Sequence, residues 1–140
     1  MLLAAFNGMR WIEEQLDSIL GQSAVDVTVY ISIDPSSDGT EAWCADYAAR
    51  HAQVIVLPEA GSFGGASRNF FRLIRDVPVD EYDFVAFADQ DDIWNPDKLD
   101  RATRAAVGAL KEFERQAHRR ERLACGRLDL GRRHIAEVQR

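Results

Sequence analysis

The sequence predicts an α/β domain built on a mostly parallel open sheet with helices on both faces. Three observations predict it. Short apolar segments of strand length alternate with longer amphipathic segments of helical period. Each alternation gives strand, helix, strand, the order that forces parallel pairing through crossover helices. The run Phe84-Val85-Ala86-Phe87-Ala88 is uniformly apolar, as expected of a strand buried on both faces.

The elements follow in order. Met1–Phe6 is apolar and ends at Asn7-Gly8, a strand entering a turn. Trp11, Ile12, Leu16, Ile19 and Leu20 fall at helical spacing, and Gly21 is the stop. From Val25 to Ile33, apolar and mostly polar residues alternate, which is a strand pattern. Asp34-Pro35-Ser36-Ser37-Asp38-Gly39 is a turn cluster in which Ser37 or Asp38 can cap the next helix, bearing Ala42, Trp43, Ala45, Ala48 and Ala49. Val54–Leu57 is a short strand halted by Pro58. A loop with Gly61, Gly64 and Gly65 leads to a helix whose apolar face is Phe70, Phe71, Leu73 and Ile74. After the fourth strand, Asn95 as cap and Pro96 at the first position start a helix through Leu99, Ala102, Ala106 and Leu110 towards residue 118. The last twenty residues show no clear apolar period.

Bulk properties narrow the class. The 140 residues suit one domain, with 46% hydrophobic and 29% charged residues. No apolar run approaches the roughly 20 residues of a membrane span, and no signal peptide is recognisable. Two cysteines, Cys44 and Cys125, lie far apart without neighbouring ligand histidines. A structural zinc or disulfide framework is therefore not expected, and a cytoplasmic location is, with the inner membrane face as the alternative. Residues 1–110 carry 8 Lys and Arg against 18 Asp and Glu, whereas residues 111–140 carry 9 against 5. We therefore divide the chain into a domain over 1–110 and a basic helical or irregular tail over 111–140. The acidic body argues against nucleic acid as its ligand.

In an open parallel sheet, ligands bind beyond the carboxyl ends of the strands. Asn7-Gly8, Asp34–Gly39 and Asp89–Asp92 all lie there. The last is the sharpest cluster, since three carboxylates in four residues repel one another unless a cation joins them or some stay protonated. Asp89 and Asp91, one residue apart, point to the same side of extended backbone. Hard oxygen ligands in small number suit Mg²⁺ or Mn²⁺, which fill their shells with phosphate and water. We weigh this above simple acidic capping of the following helix, which Asp97 would supply. From composition alone, Asp34–Asp38 reads as an ordinary turn. Arg68 at a helix start fits either a phosphate or a surface ion pair. His51, His118 and His134 read as surface residues. Trp11, Trp43, Phe70 and Phe71 read as core, while Trp94 fits either the core or the site wall.

Together these segments resemble family 2 glycosyltransferases. Phe6-Asn7-Gly8 with Ile12–Ile19 is similar to the family's opening, Ser36–Thr40 to its second-strand turn, and Gly64–Phe71 to its Gly…Ala-Lys/Arg-Asn element. Asp89–Trp94 with Pro96–Leu99 resembles the D-x-D segment of its rhamnosyltransferase-like branch. The likeness covers residues 2–104. It implies a GT-A fold, whose nucleotide-binding half is Rossmann-like, and transfer of a sugar from a nucleoside diphosphate with inversion. By position, it implies that Ala5 and Phe6 line the base pocket and that Asp34 lies near the base or ribose. Arg68 would approach the base or diphosphate, Asp89 would touch the ribose or sugar, and Asp91 would hold the metal. The branch hints at a dTDP-rhamnose donor, with a saccharide or lipid-linked acceptor in cell-surface polysaccharide synthesis.

Two positions depart from the pattern. Ile33 stands where the family usually has its first, base-contacting aspartate, and Pro35 replaces a glycine. The family's general base is expected well beyond the D-x-D segment, and no residue here is assigned to it, Glu121, Asp129 and Glu137 included. Three further readings therefore compete with sugar transfer. A nucleotide-binding fragment without transfer is one. A nucleotidyltransferase would need a glycine-rich, lysine-bearing phosphate loop, and a receiver domain would need a lysine after a later strand; neither feature is found. If the acceptor half is absent, the face it would cover is expected to promote self-association or to take a partner.

Overall fold

The computed structural model describes the backbone of residues 1–137 and the side chains of residues 1–117. Its elements are β1 (Leu2–Ala5), α1 (Ile12–Leu20), β2 (Val29–Ile33), α2 (Thr40–Arg50), β3 (Val54–Val56), α3 (Ala66–Asp76), a 3₁₀ turn (Val79–Glu81), β4 (Phe87–Ala88) and α4 (Lys98–Glu137). They divide into two compact units, Met1–Asp100 and Arg101–Arg140. Among the described residues no helix is long and apolar enough to cross a membrane.

The first unit is the expected α/β sheet. Its strand order is β3-β2-β1-β4, and every pairing is parallel. β1 is central, and all four of its residues are buried. Because side chains alternate along a strand, Leu3 and Ala5 join Ile12, Leu16 and Ile19 of α1 and Cys44 and Tyr47 of α2 in one apolar cluster. Leu2 and Ala4 turn the other way, to Leu73 and Val77 at α3. Helices therefore cover both faces, as the uniformly apolar β1 requires.

Turn chemistry sets the helix starts. The Gly8 carbonyl accepts from the N–H groups of Trp11 (2.9 Å) and Ile12 (3.0 Å), and Gly21 N–H closes α1 on the Asp17 carbonyl at 2.9 Å. Gly39 enters α2 with φ of 94°, a left-handed conformation that glycine adopts without strain. The N-cap is thus Gly39 rather than Ser37 or Asp38, and Asp38 bonds from the position before it. Its Oδ1 accepts from the Thr40 N–H at 3.1 Å and the Thr40 hydroxyl at 2.6 Å.

Several expectations are corrected. β2 begins at Val29 rather than Val25, after a loop in which Ala24 has φ of 60°. Only Phe87 and Ala88 of the predicted fourth strand pair with β1, and Phe84, Val85 and Phe87 are exposed. The reason is position, since β4 is an outer strand with one neighbour among the described strands. On α3 the buried stripe is Asn69, Arg72 and Leu73, while Phe71 is 70% exposed and Ile74 also faces out. Ser32 explains that choice: its carbonyl accepts from Asn69 Nδ2 at 3.0 Å and its Oγ from Arg72 Nη1 at 2.9 Å. Trp11 is outside the core, preceding α1 with the Arg10 guanidinium over its ring.

The second unit consists of α4 from Arg101 onward. The helix continues to Glu137, well past the predicted end near residue 118. Leu110, expected on its apolar face, is exposed, as is Phe113. The side chains of His118, Glu121, Cys125, Asp129, His134 and Glu137 lie outside the described residues.

Candidate functional site

β1 and β2 run out side by side. Ala5 is in register with Ile33, and Asp34 N–H donates to the Ala5 carbonyl at 2.9 Å. The loops that leave them are stitched together. Asn7 N–H donates to Ser36 Oγ (3.0 Å), Gly8 N–H to Thr40 Oγ1 (2.8 Å) and Met9 N–H to Asp38 Oδ2 (3.0 Å). In return Ser37 N–H donates to Asn7 Oδ1 at 2.8 Å. The hydroxyl of Thr40 and the amide contacts around it hold the Asp38 carboxyl below its usual range. The Asn7-Gly8 and Ser36–Thr40 motifs thus serve each other as structure, leaving the site wall to neighbouring residues.

That wall encloses a cleft of about 480 Å³ at the carboxyl ends of the strands, a volume within the range of small-ligand sites. Ala4, Ala5 and Phe6 form its floor from β1, and Asp34 enters from β2. Asp34 is only 5% exposed, and its Oδ1 accepts from the Phe63 N–H at 2.7 Å, which draws the glycine loop over the cleft. Ser62, Gly64, Gly65 and Ala66 make that side, and Asp89 and Gln90 close the opposite one.

Of the residues expected at a nucleotide site, the cleft brings together Ala5, Phe6, Asp34 and Asp89. Arg68 and Asp91 are exposed and do not line it. Arg68 Nη1 is 3.5 Å from the Phe63 carbonyl, one turn back towards the glycine loop. Asp91 follows Asp89 by two residues, on the exposed part of the acid loop. Among the described residues no group of three or more His, Cys, Asp or Glu converges on a metal position. The cleft lining offers the carboxylates of Asp34 and Asp89, oxygen ligands of the kind that Mg²⁺ and Mn²⁺ take in small number.

Trp94, which the sequence left between wall and core, is core. It is 7% exposed and packs in the cluster of Ile12 and Leu16. The backbone around it is fastened to the end of α1. Trp94 N–H donates to Ser18 Oγ, Gln22 Nε2 to the Asn95 carbonyl, and Leu99 N–H to Gln22 Oε1.

Two further residues line the cleft, each within a segment that carries the family likeness but with no site role expected of it. Asn69 is 2% exposed and lines the cleft, with its Oδ1 unpaired although its Nδ2 is bonded. Its signal is spacing, since a polar residue four before Leu73 shares that leucine's buried stripe. Gln90, between two aspartates, carries no such signal.

Comparison with known proteins follows the same lines. The sequence profile described as "Glycosyltransferase like family 2" matches residues 1–140. The chain belongs to this family. A relative, the dTDP-rhamnosyl transferase RfbG of Shigella flexneri, is 46% identical over 101 residues, covering 71% of this chain and 35% of that protein. S. aureus TarS in complex with UDP-GlcNAc superposes with a TM-score of 0.61 at 25% identity, over 73% of this chain and 29% of that one. The full TarS structure gives the same TM-score at 24% identity, over 73% and 18%. These structures share the GT-A glycosyltransferase fold expected for the family. This family 2 chain spans about a third of the length of the curated relatives it matches.

Proposed function

We propose that the first unit is the donor-binding half of an inverting glycosyltransferase and takes a nucleoside-diphosphate sugar into the cleft. The observation that carries this reading is the union of Ala5, Phe6, Asp34 and Asp89 around one cavity at the strand ends. In it, Ala5 and Phe6 would meet the base, Asp34 the base or ribose, and Asp89 the ribose or sugar. The unpaired Asn69 Oδ1 is an acceptor that a donor N–H or O–H would satisfy, relieving a buried cost of about 1–3 kcal/mol. Arg68, exposed and bonded at 3.5 Å to the Phe63 carbonyl, would approach the base or diphosphate.

Asp91 would hold Mg²⁺ or Mn²⁺, which offsets the charge on the departing diphosphate. During transfer the acceptor hydroxyl bonds to the anomeric carbon while the bond to the diphosphate breaks, and a base removes the hydroxyl proton. No described residue is assigned as that base. Donor binding is therefore proposed for this chain, and transfer for a protein of its relatives' full length. A donor with a thymidine nucleotide and rhamnose is supported by the RfbG likeness, and UDP sugars by the TarS complex. The acceptor would be a saccharide or lipid-linked hydroxyl in cell-surface polysaccharide synthesis, met at the inner face of the membrane.

Calorimetric titration with dTDP and UDP, with and without Mn²⁺, tests the reading. The expected result is nucleotide binding that Mn²⁺ strengthens and that Asp91→Ala returns to its metal-free level. Failure of both nucleotides to bind, with or without Mn²⁺, would overturn it.

A further inference from the structure

The acid loop is tied to the sheet by one side chain. The Gln90 amide makes both of its bonds to the same residue: Phe6 N–H donates to Oε1 at 2.7 Å, and Nε2 donates to the Phe6 carbonyl at 2.8 Å. Such a two-bond exchange is what paired strands make, and here it occurs just past Leu3 and Ala88, the last residues at which β1 and β4 pair. The amide continues the ladder by a side chain after the backbone has left it. Gly8 makes room for it, because a Cβ there would lie 2.7 Å from Gln90 Oε1 and 3.2 Å from its Cδ. Further along, the chain is anchored at Trp94 through Ser18 and at Asn95 through Gln22.

We infer that Gln90 is a positioning residue for the acid loop, holding Asp89 at the cleft wall and fixing the stretch of loop that carries Asp91, the residue proposed above to hold a divalent cation on the diphosphate. The inference rests on the donor-binding reading above. An amide suits the task because it offers one acceptor and one donor to a peptide unit that needs both. A glutamate would place a carboxylate against the Phe6 carbonyl and add a fourth charge to three. Residues that orient metal-binding carboxylates typically contribute about 10-fold to 100-fold in metal affinity.

Gln90→Leu, Gln90→Glu, Gly8→Ala and the Gln90→Leu/Gly8→Ala double variant, made in the full chain, test this. Titration uses dTDP with and without Mn²⁺, and hydrogen exchange follows the Phe6 amide. In Gln90→Leu the Mn²⁺ enhancement should fall by about 10-fold to 100-fold, with metal-free dTDP affinity retained and Phe6 exchange accelerated. Gln90→Glu, which keeps one bond, should lie between. Gly8→Ala should mimic Gln90→Leu, and the double variant should be no worse than Gln90→Leu alone. Undiminished Mn²⁺ enhancement in Gln90→Leu would overturn the inference, as would an equal loss with and without metal. A wild-type chain that binds dTDP without any Mn²⁺ effect would overturn the metal part of the functional reading and this role with it. Accelerated Phe6 exchange would in that case mark Gln90 as structural only.

Discussion

Cys44 shows how strongly burial sets chemistry in this domain. It has no exposed surface, and burial pushes its thiol up to about 12, with Glu41 and Asp38 adding repulsion of the thiolate. Attack by thiols requires the thiolate. In the folded chain Cys44 should therefore resist iodoacetamide at pH 8 and become labelled in guanidinium, as peptide mass spectrometry can read. Rapid labelling of the native chain would contradict this. Because the folded thiol ionises above the ordinary value of 9.0, the unfolded chain loses its proton first. That contribution to stability is intact below pH 9 and declines as pH rises through the window up to about 12. At this scale the sequence was readable where chemistry follows from place in the chain. Ala5, Phe6, Asp34 and Asp89 meet at one cleft because each directly ends or follows a strand. Gln90 was not readable, since its partner lies 84 positions away and no local pattern encodes a distant peptide unit.

Among the elements, α3 separates pattern from packing. Phe70, Phe71, Leu73 and Ile74 give it an apolar face by composition, yet Asn69 and Arg72 share the buried stripe with Leu73. The two polar side chains are there because β2 and the Pro58 carbonyl offer partners, which offsets most of the cost of burying them. The Arg72 guanidinium also lies 5.3 Å from the Phe63 ring, joining α3 to the glycine loop. Leu73→Ala should cost about 2–5 kcal/mol in urea unfolding. Phe71→Ala, at an exposed position, should stay within about 0.5 kcal/mol. Equal effects at the two positions would refute the observed orientation of α3. Strand β4 teaches the same lesson from the other side. An apolar run predicts burial on both faces, but burial also needs neighbours, and the sequence of one strand says nothing about how many it has.

For the molecule as a whole, the unsatisfied surface matters most. Phe84, Val85 and Phe87 lie exposed at the outer strand, and Phe71 is exposed on α3. An open strand edge beside apolar side chains favours association with other chains. Light scattering should show an apparent mass that rises with concentration, and Phe84→Lys with Phe87→Lys should suppress the rise. A constant monomer mass in the unaltered chain would refute the expectation. The alternation of strands and helices was legible at this scale because it follows from periodicity, whereas the continuation of α4 to Glu137 was not, in a segment without an apolar repeat. The long span between Phe6 and Gln90 bears on assembly. Made from the N-terminus, the chain emerges with the floor of its cleft nearly complete and must wait for residues 89 and 90 to supply the far wall. A ligand of that cleft has nothing to grip in a half-made chain, and it stabilises only molecules in which both ends of the sheet have met. Ligand binding would therefore couple the two distant segments, the β1 end and the acid loop, in one stability term.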